Sequence, residues 1–325
     1  MKISVLFFLI SVATFAQTTF KKKAALLGSP FEIIVVANDS VQGYAYCDMA
    51  IAEVKRVENL ISDWIPTTQV SEINRNAGIK PVKVNTEVFG LIDRALKISH
   101  LTDGAFDISY ASMDKIWKFD GSMKQMPSEE EIKASVSKVG YKNVILDAQV
   151  STVFLKNTGM KIGLGGIGQG YIADSIKELL QKKGCSSGLV NVSGDITTWG
   201  YQIDGNPWTV AIINPMNKEK VFASFPLIDS AVETSGSYEK FVTFNGKRYS
   251  HIIDPRTGYP ATGIVSVTVF AKKTEIADAL ATSIFVMGKD VGISLIDQIP
   301  NIECIVVSDT GELFVSKNID LKKYN

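Results

Sequence analysis

Histidine is scarce in this chain of 325 residues: there are two, His100 and His251. Cysteine is nearly as rare. Cys47, Cys185 and Cys304 lie far apart and follow no metal-binding spacing, and an odd number leaves at least one unpaired within the chain. They read as small buried hydrophobes. Neither sign of charge is in excess: Lys+Arg and Asp+Glu number 34 each. That argues against nucleic acid or an anionic membrane as the main partner. Fixed-period repeats, low-complexity tracts and linkers are absent. What is present is an ordinary globular composition, 46% hydrophobic and 21% charged, enough for one large domain or two intimate lobes.

The N-terminus stands apart. "MKISVLFFLISVATFAQTTF" carries Lys2, an apolar run from Ile3 to about Val12, and small residues Thr14 and Ala16 at cleavage positions. The run is too short to span a membrane and reads as a secretory signal. Residues 1–16 are expected to be removed, leaving residues 17–325 as a soluble protein, periplasmic or otherwise exported, with no transmembrane span. No cysteine sits near the cleavage point, so no lipid anchor is expected.

The remainder alternates strand and helix signals. "PFEIIVVA" (30–37) is rich in β-branched residues and reads as a strand. Ala50, Val54, Val57, Ile61 and Trp64 recur at helical spacing, with Asp39 or Ser40 as a cap. A second helix is predicted from Thr86 to Leu101. A third opens with Ser128 and Glu131 at capping-box spacing and is expected to stop at Gly140. Strands are predicted at about 143–146, 152–156 and 160–163. Further strands follow, with Asn245-Gly246 as a hairpin turn. A helix runs from about Glu275 to Met287, with Thr274 as its cap. Hairpins among helices favour an α+β fold with mixed or antiparallel sheets over a doubly wound parallel one.

Several stretches are candidates for chemistry. In "GLGGIGQG" five of eight residues are glycine, and a helix follows. Gly163, Gly165 and Gly168 formally spell GxGxxG, but the run does not open a βαβ unit and no acid follows at the required distance. Two readings stand: a backbone cradle for a phosphate-bearing ligand, or a tight turn between packed elements. Asp278 and Thr282 are the conspicuous polar residues of an apolar helix, four apart on one face. Their oxygens suit Mg²⁺ or Ca²⁺; the spacing is equally that of a backbone-bonded Thr and an ion-paired Asp. In "SHIIDPRTGYP" (250–260), His251 ends a strand beside a turn, where an imidazole could take a proton from a hydroxyl. It could equally point outward as a structural residue. His100 reads as a cation at a helix C-terminus. "TDGAFD", "VSGD" and "TSGSY" look like loops assembled around a cleft.

These runs, in this order and beginning at "LGSPFEI", resemble the ApbE family of FAD:protein FMN transferases over most of the mature chain. The resemblance implies Mg²⁺-dependent cleavage of FAD and transfer of FMN to a threonine hydroxyl of an exported, FMN-binding flavoprotein, with release of AMP. It implies Asp278, Thr282 and the Gly166 carbonyl as metal ligands. His251 is implied as base, with Asp254 orienting it. Ser29, Asp103, Asp107, Gly166, Asp174 and Ser235 are implied to hold FAD. Three positions depart from the family pattern: Gln169 where Lys is usual, Ser237 where Asp is common and Ser193 where Gly is common. Two other functions are compatible with the same residues. One is an FAD pyrophosphatase that passes FMN to water; the other is a non-catalytic exported flavin-binding protein.

Overall fold

A computed structural model describes residues 17–215, 221–237 and 240–321. The expected signal peptide, and Tyr238 of "TSGSY", lie outside the described residues.

The fold is α+β, built on one eight-stranded sheet. Its strands are Thr18–Leu26, Ser29–Ala37, Gly188–Val192, Asp195–Trp199, Ala231–Gly236, Ile264–Ala271, Glu303–Ser308 and Leu313–Val315. Their order across the sheet is their order along the chain, and every neighbouring pair is antiparallel. Helices, small hairpins and functional loops are inserted between successive strands. The helices Ser40–Ile61, Gly168–Lys182 and Thr274–Met287 pack on one face of this sheet. Residues such as Ile33, Val35, Val190, Val267 and Val269 alternate onto that face and are fully buried. On the other face, the hairpin Trp208–Ile213 and Val221–Leu227 seats Ile212 and Phe225 against Ile305.

Local signals account for many boundaries. Asp39 caps the first helix by accepting from Gln42 N at 2.8 Å. The reciprocal box of Ser128 and Glu131 opens the helix Glu129–Ser135. That helix ends at Ser135, before Gly140. Asn245 and Gly246 both take positive φ between the strands Phe241–Phe244 and Lys247–Ser250, as a two-residue hairpin requires.

Three expectations are corrected. Trp64 does not extend the first buried stripe, because the helix stops at Ile61 and Trp64 is exposed. Residues 160–163 join no strand ladder. Their amides are taken by Ser112 Oγ, Asn74 Oδ1 and Ile108 O instead. Thr274 is not the cap of its helix but its first residue. Its amide and hydroxyl, and the Glu275 amide, are bonded to the Asp174 carboxylate of another helix.

Candidate active site

The strands Ala231–Gly236 and Ile264–Ala271 bring several inserted loops to one end of the sheet. Between these loops lies a cavity of about 260 Å³ lined by Phe106, Tyr110, Gly165, Gly166, His251 and Thr282, among others. Larger hollows of about 840 Å³ exist elsewhere. Neither of those contains a histidine, so size is a poor guide here and the side chains decide.

His251 follows the strand Lys247–Ser250 directly. Its amide donates to Lys240 O at 3.1 Å, and the Ser250 hydroxyl accepts from Ile252 N at 3.0 Å. The loop beyond is closed by an Ile253–Pro260 bridge and by Gly258 N donating to Asp254 O at 2.8 Å. Gly258 has φ +79°, and a side chain there would meet Val136 and Ile132. The loop is therefore rigidly seated. The imidazole packs edge-on against Phe119 at 6.4 Å. Burial holds its pKa below the ordinary value, and its Nδ1 is buried with no hydrogen-bond partner among the described residues. A neutral imidazole with an unused nitrogen, in a cavity wall, is equipped to accept a proton.

The glycine run serves packing and cavity together. None of its five glycines has positive φ, so left-handed geometry is not the reason for them. Close approach is. A Cβ on Gly170 would lie 2.5 Å from the Thr274 carbonyl oxygen, where the helices Gly168–Lys182 and Thr274–Met287 touch. A Cβ on Gly166 would lie 3.2 Å from Phe106 and 3.7 Å from Thr282 Oγ1. Gly166 thus sets bare backbone beside the Thr282 hydroxyl. Gln169 is the half-buried second residue of the following helix.

Behind this wall are three buried carboxyl groups. Asp278 accepts from Gly170 N at 3.2 Å, and burial pushes its pKa up to about 7. Asp195 and Glu233 are pushed well above the carboxylate range, first by burial and then by the Asp278 charge; Glu233 adds to the effect on Asp195. One oxygen of Asp195 has no partner among the described residues. Buried carboxylates need a compensating positive charge or a proton. Hard oxygen donors in such a deficit fit a divalent cation such as Mg²⁺. Among the described residues, no three His, Cys, Asp or Glu side chains converge as a closed metal cage. A cation at Asp278 would therefore draw on the Thr282 hydroxyl and backbone oxygen.

The expected ligands separate into groups. Gly166, Thr282 and His251 share the cavity, and Ser235 stands 3.5 Å from Thr282, hydroxyl to hydroxyl. Asp107 also lines the cavity, but both its oxygens are engaged: Oδ1 by Ser109 N and Oγ, Oδ2 by Tyr141 N. Asp174 is likewise spent on capping the helix at Thr274. Asp103 is exposed, in a turn with φ +46°. Ser29 lies in a different hollow, beside Ser193 and Gly194. Ser193 has φ +61°, which is the physical reason a glycine suits that position. Ser237 is buried, its amide bonded to Val265 O. Asp254 is a correction. Its carboxylate takes both Arg256 Nε and Nη2 at 2.9 Å, so it closes its own turn and does not hydrogen-bond His251. Sequence reasoning gave Asp195, the acid of "VSGD", no role of its own and passed over Glu233, which precedes "TSGSY".

The ApbE family model matches residues 27–306. The chain belongs to the ApbE family. An FAD:protein FMN transferase of Klebsiella pneumoniae is 31% identical over 299 residues, covering 91% of this chain and 92% of that protein. One of Treponema pallidum is 33% identical, covering 73% of this chain and 70% of its own. Among solved structures, an ApbE protein of Thermotoga maritima superposes with a TM-score of 0.83 at 31% identity, covering 94% of this chain and 99% of that one. The flavin transferase ApbE from Vibrio cholerae gives 0.82 at 25% identity, covering 95% and 100%. These two solved structures therefore share the overall fold of this chain.

Proposed function

We propose that this chain is an FAD:protein FMN transferase that moves FMN from FAD to a threonine hydroxyl of an exported flavoprotein and releases AMP. One observation carries the reading: His251, with an unpartnered nitrogen, lines the same cavity as Gly166 and Thr282. The names of the relatives supply the reaction class.

Asp278, Thr282 and the Gly166 carbonyl would hold Mg²⁺, which when bound offsets the negative charge of the pyrophosphate. Gly163 to Gly166 leave room for phosphate against backbone. His251 accepts the proton of the acceptor threonine. The freed oxygen forms the new P–O bond at the FMN phosphorus, the pyrophosphate P–O bond breaks, and AMP leaves with the electron pair. Ser235 belongs to the phosphate end of this site through its contact with Thr282. The apolar run within residues 1–16 supports export, to the periplasm or otherwise outside the membrane. Among the described residues, no helix is long and apolar enough to cross a membrane.

AMP release, measured with FAD and Mg²⁺ in the presence and absence of a threonine-bearing acceptor domain, tests the reading. Release that needs the acceptor is the expected result. Steady release without it would instead assign an FAD pyrophosphatase. Tight FAD binding with no release under either condition would assign a flavin-binding protein.

A further inference from the structure

Glu233 is a costly residue for its position. It faces the helix Thr274–Met287 from the middle of the sheet, directly across from the buried Val269. The register Ala231↔Thr197 and Val232↔Ile196, continued by one rung, sets it opposite Asp195. Two acids facing each other across strands, with Asp278 above them, weaken the fold. A purely structural position here would take another valine.

What Glu233 touches gives it a use. Ser235, two residues on and on the same sheet face, donates to Glu233 Oε1 at 3.2 Å. The Ser235 and Thr282 hydroxyl oxygens are 3.5 Å apart. Each hydroxyl has one proton and two lone pairs. Once the Ser235 proton is directed at Glu233, Thr282 must be the donor in the second contact. The neighbouring Ser283 behaves differently and turns back to Ala279 O at 2.6 Å, the usual resort of a helical hydroxyl. With its proton directed at the sheet, Thr282 keeps its lone pairs for another partner, and the Gly166 backbone lies beside it.

We propose that Glu233 is a positioning residue, acting through Ser235 to fix the direction of the hydrogen-bond chain so that the Thr282 lone pairs face the cation. This rests on the metal reading given above. The chain has this direction where Glu233 accepts from Ser235: a carboxylate can only accept, whereas a protonated carboxyl can also donate.

The test is Mn²⁺ binding to the full chain without FAD, followed by electron paramagnetic resonance. Thr282→Ala must weaken binding in any case; if it does not, the metal reading falls, and this inference with it. Glu233→Met, similar in size but without the acceptor, is expected to weaken Mn²⁺ binding about 10-fold. Ser235→Ala is expected to match it, and the double variant to be no weaker than either single one. Glu233→Gln, which keeps an acceptor oxygen, is expected to stay near wild type. Wild-type affinity in Ser235→Ala, or additive losses in the double variant, would overturn the proposal while leaving the metal reading intact. A Glu233→Gln as weak as Glu233→Met would also overturn it, by showing that charge and not direction matters. If Glu233→Met does not fold, Ser235→Ala and Glu233→Gln decide the question.

Discussion

Arg256 holds Asp254 by two parallel bonds of 2.9 Å, and the Arg256 amide adds a third to the same carboxylate. The pair locks the turn that follows His251. Among the described residues no carboxylate hydrogen-bonds the imidazole, and the loop and Phe119 position the ring. Asp254→Asn should therefore cost stability, on the order of 1–2 kcal/mol. The pH dependence of transfer should not change. Chemical denaturation and a pH–rate profile on the same variant check both halves.

Burial holds His251 below the ordinary imidazole value of 6.5. The sign follows directly. A base works when deprotonated, and a depressed pKa keeps it deprotonated to lower pH. The acidic limb of kcat/KM should thus fall away below pH 6.5 and be flat through neutrality. A limb centred above 6.5 would mean that another group is being observed.

Asp278 sits among acids, so its charge opposes folding until a cation offsets it. Without divalent metal, Asp278→Asn should melt no lower than wild type, because the amide can still accept from Gly170 N. With Mg²⁺ at a hundred times its Kd, wild type should gain about 2.7 kcal/mol and the variant almost nothing. Thermal melts with and without Mg²⁺ provide the comparison.

Gly170 and Gly165 should respond differently to the same change. Gly170→Ala drives a methyl group into the Thr274 backbone and should cost about 1–3 kcal/mol. Gly165→Ala meets only the Tyr110 hydroxyl, at 3.1 Å, which can shift. It should fold normally and affect flavin binding alone. Paired unfolding curves and FAD titrations separate the two.

These residues also show what could be read from the sequence. Caps announce themselves locally, which is why Asp39, Ser128 and Glu131 were legible. The first strand was not. Lys21, Lys22 and Lys23 break any apolar alternation, because Thr18–Leu26 is an edge strand with much of its surface in water. The cavity wall was partly legible, through the glycine density and the Asp278–Thr282 spacing. The grouping of Asp195 and Glu233 with Asp278 was not, since the three meet only through sheet register and helix packing. The same holds for Asp107 and Asp174, whose bonds to the Tyr141 and Glu275 amides reach far along the chain.

The most direct test of the whole account is covalent labelling. The full chain, with wild type and His251→Ala side by side, is incubated with FAD, Mg²⁺ and an exported FMN-binding domain carrying an acceptor threonine. Flavin fluorescence is then read in the denatured acceptor band. The account predicts a fluorescent band for wild type that is lost with EDTA and lost in His251→Ala. A band of equal strength in His251→Ala would contradict it.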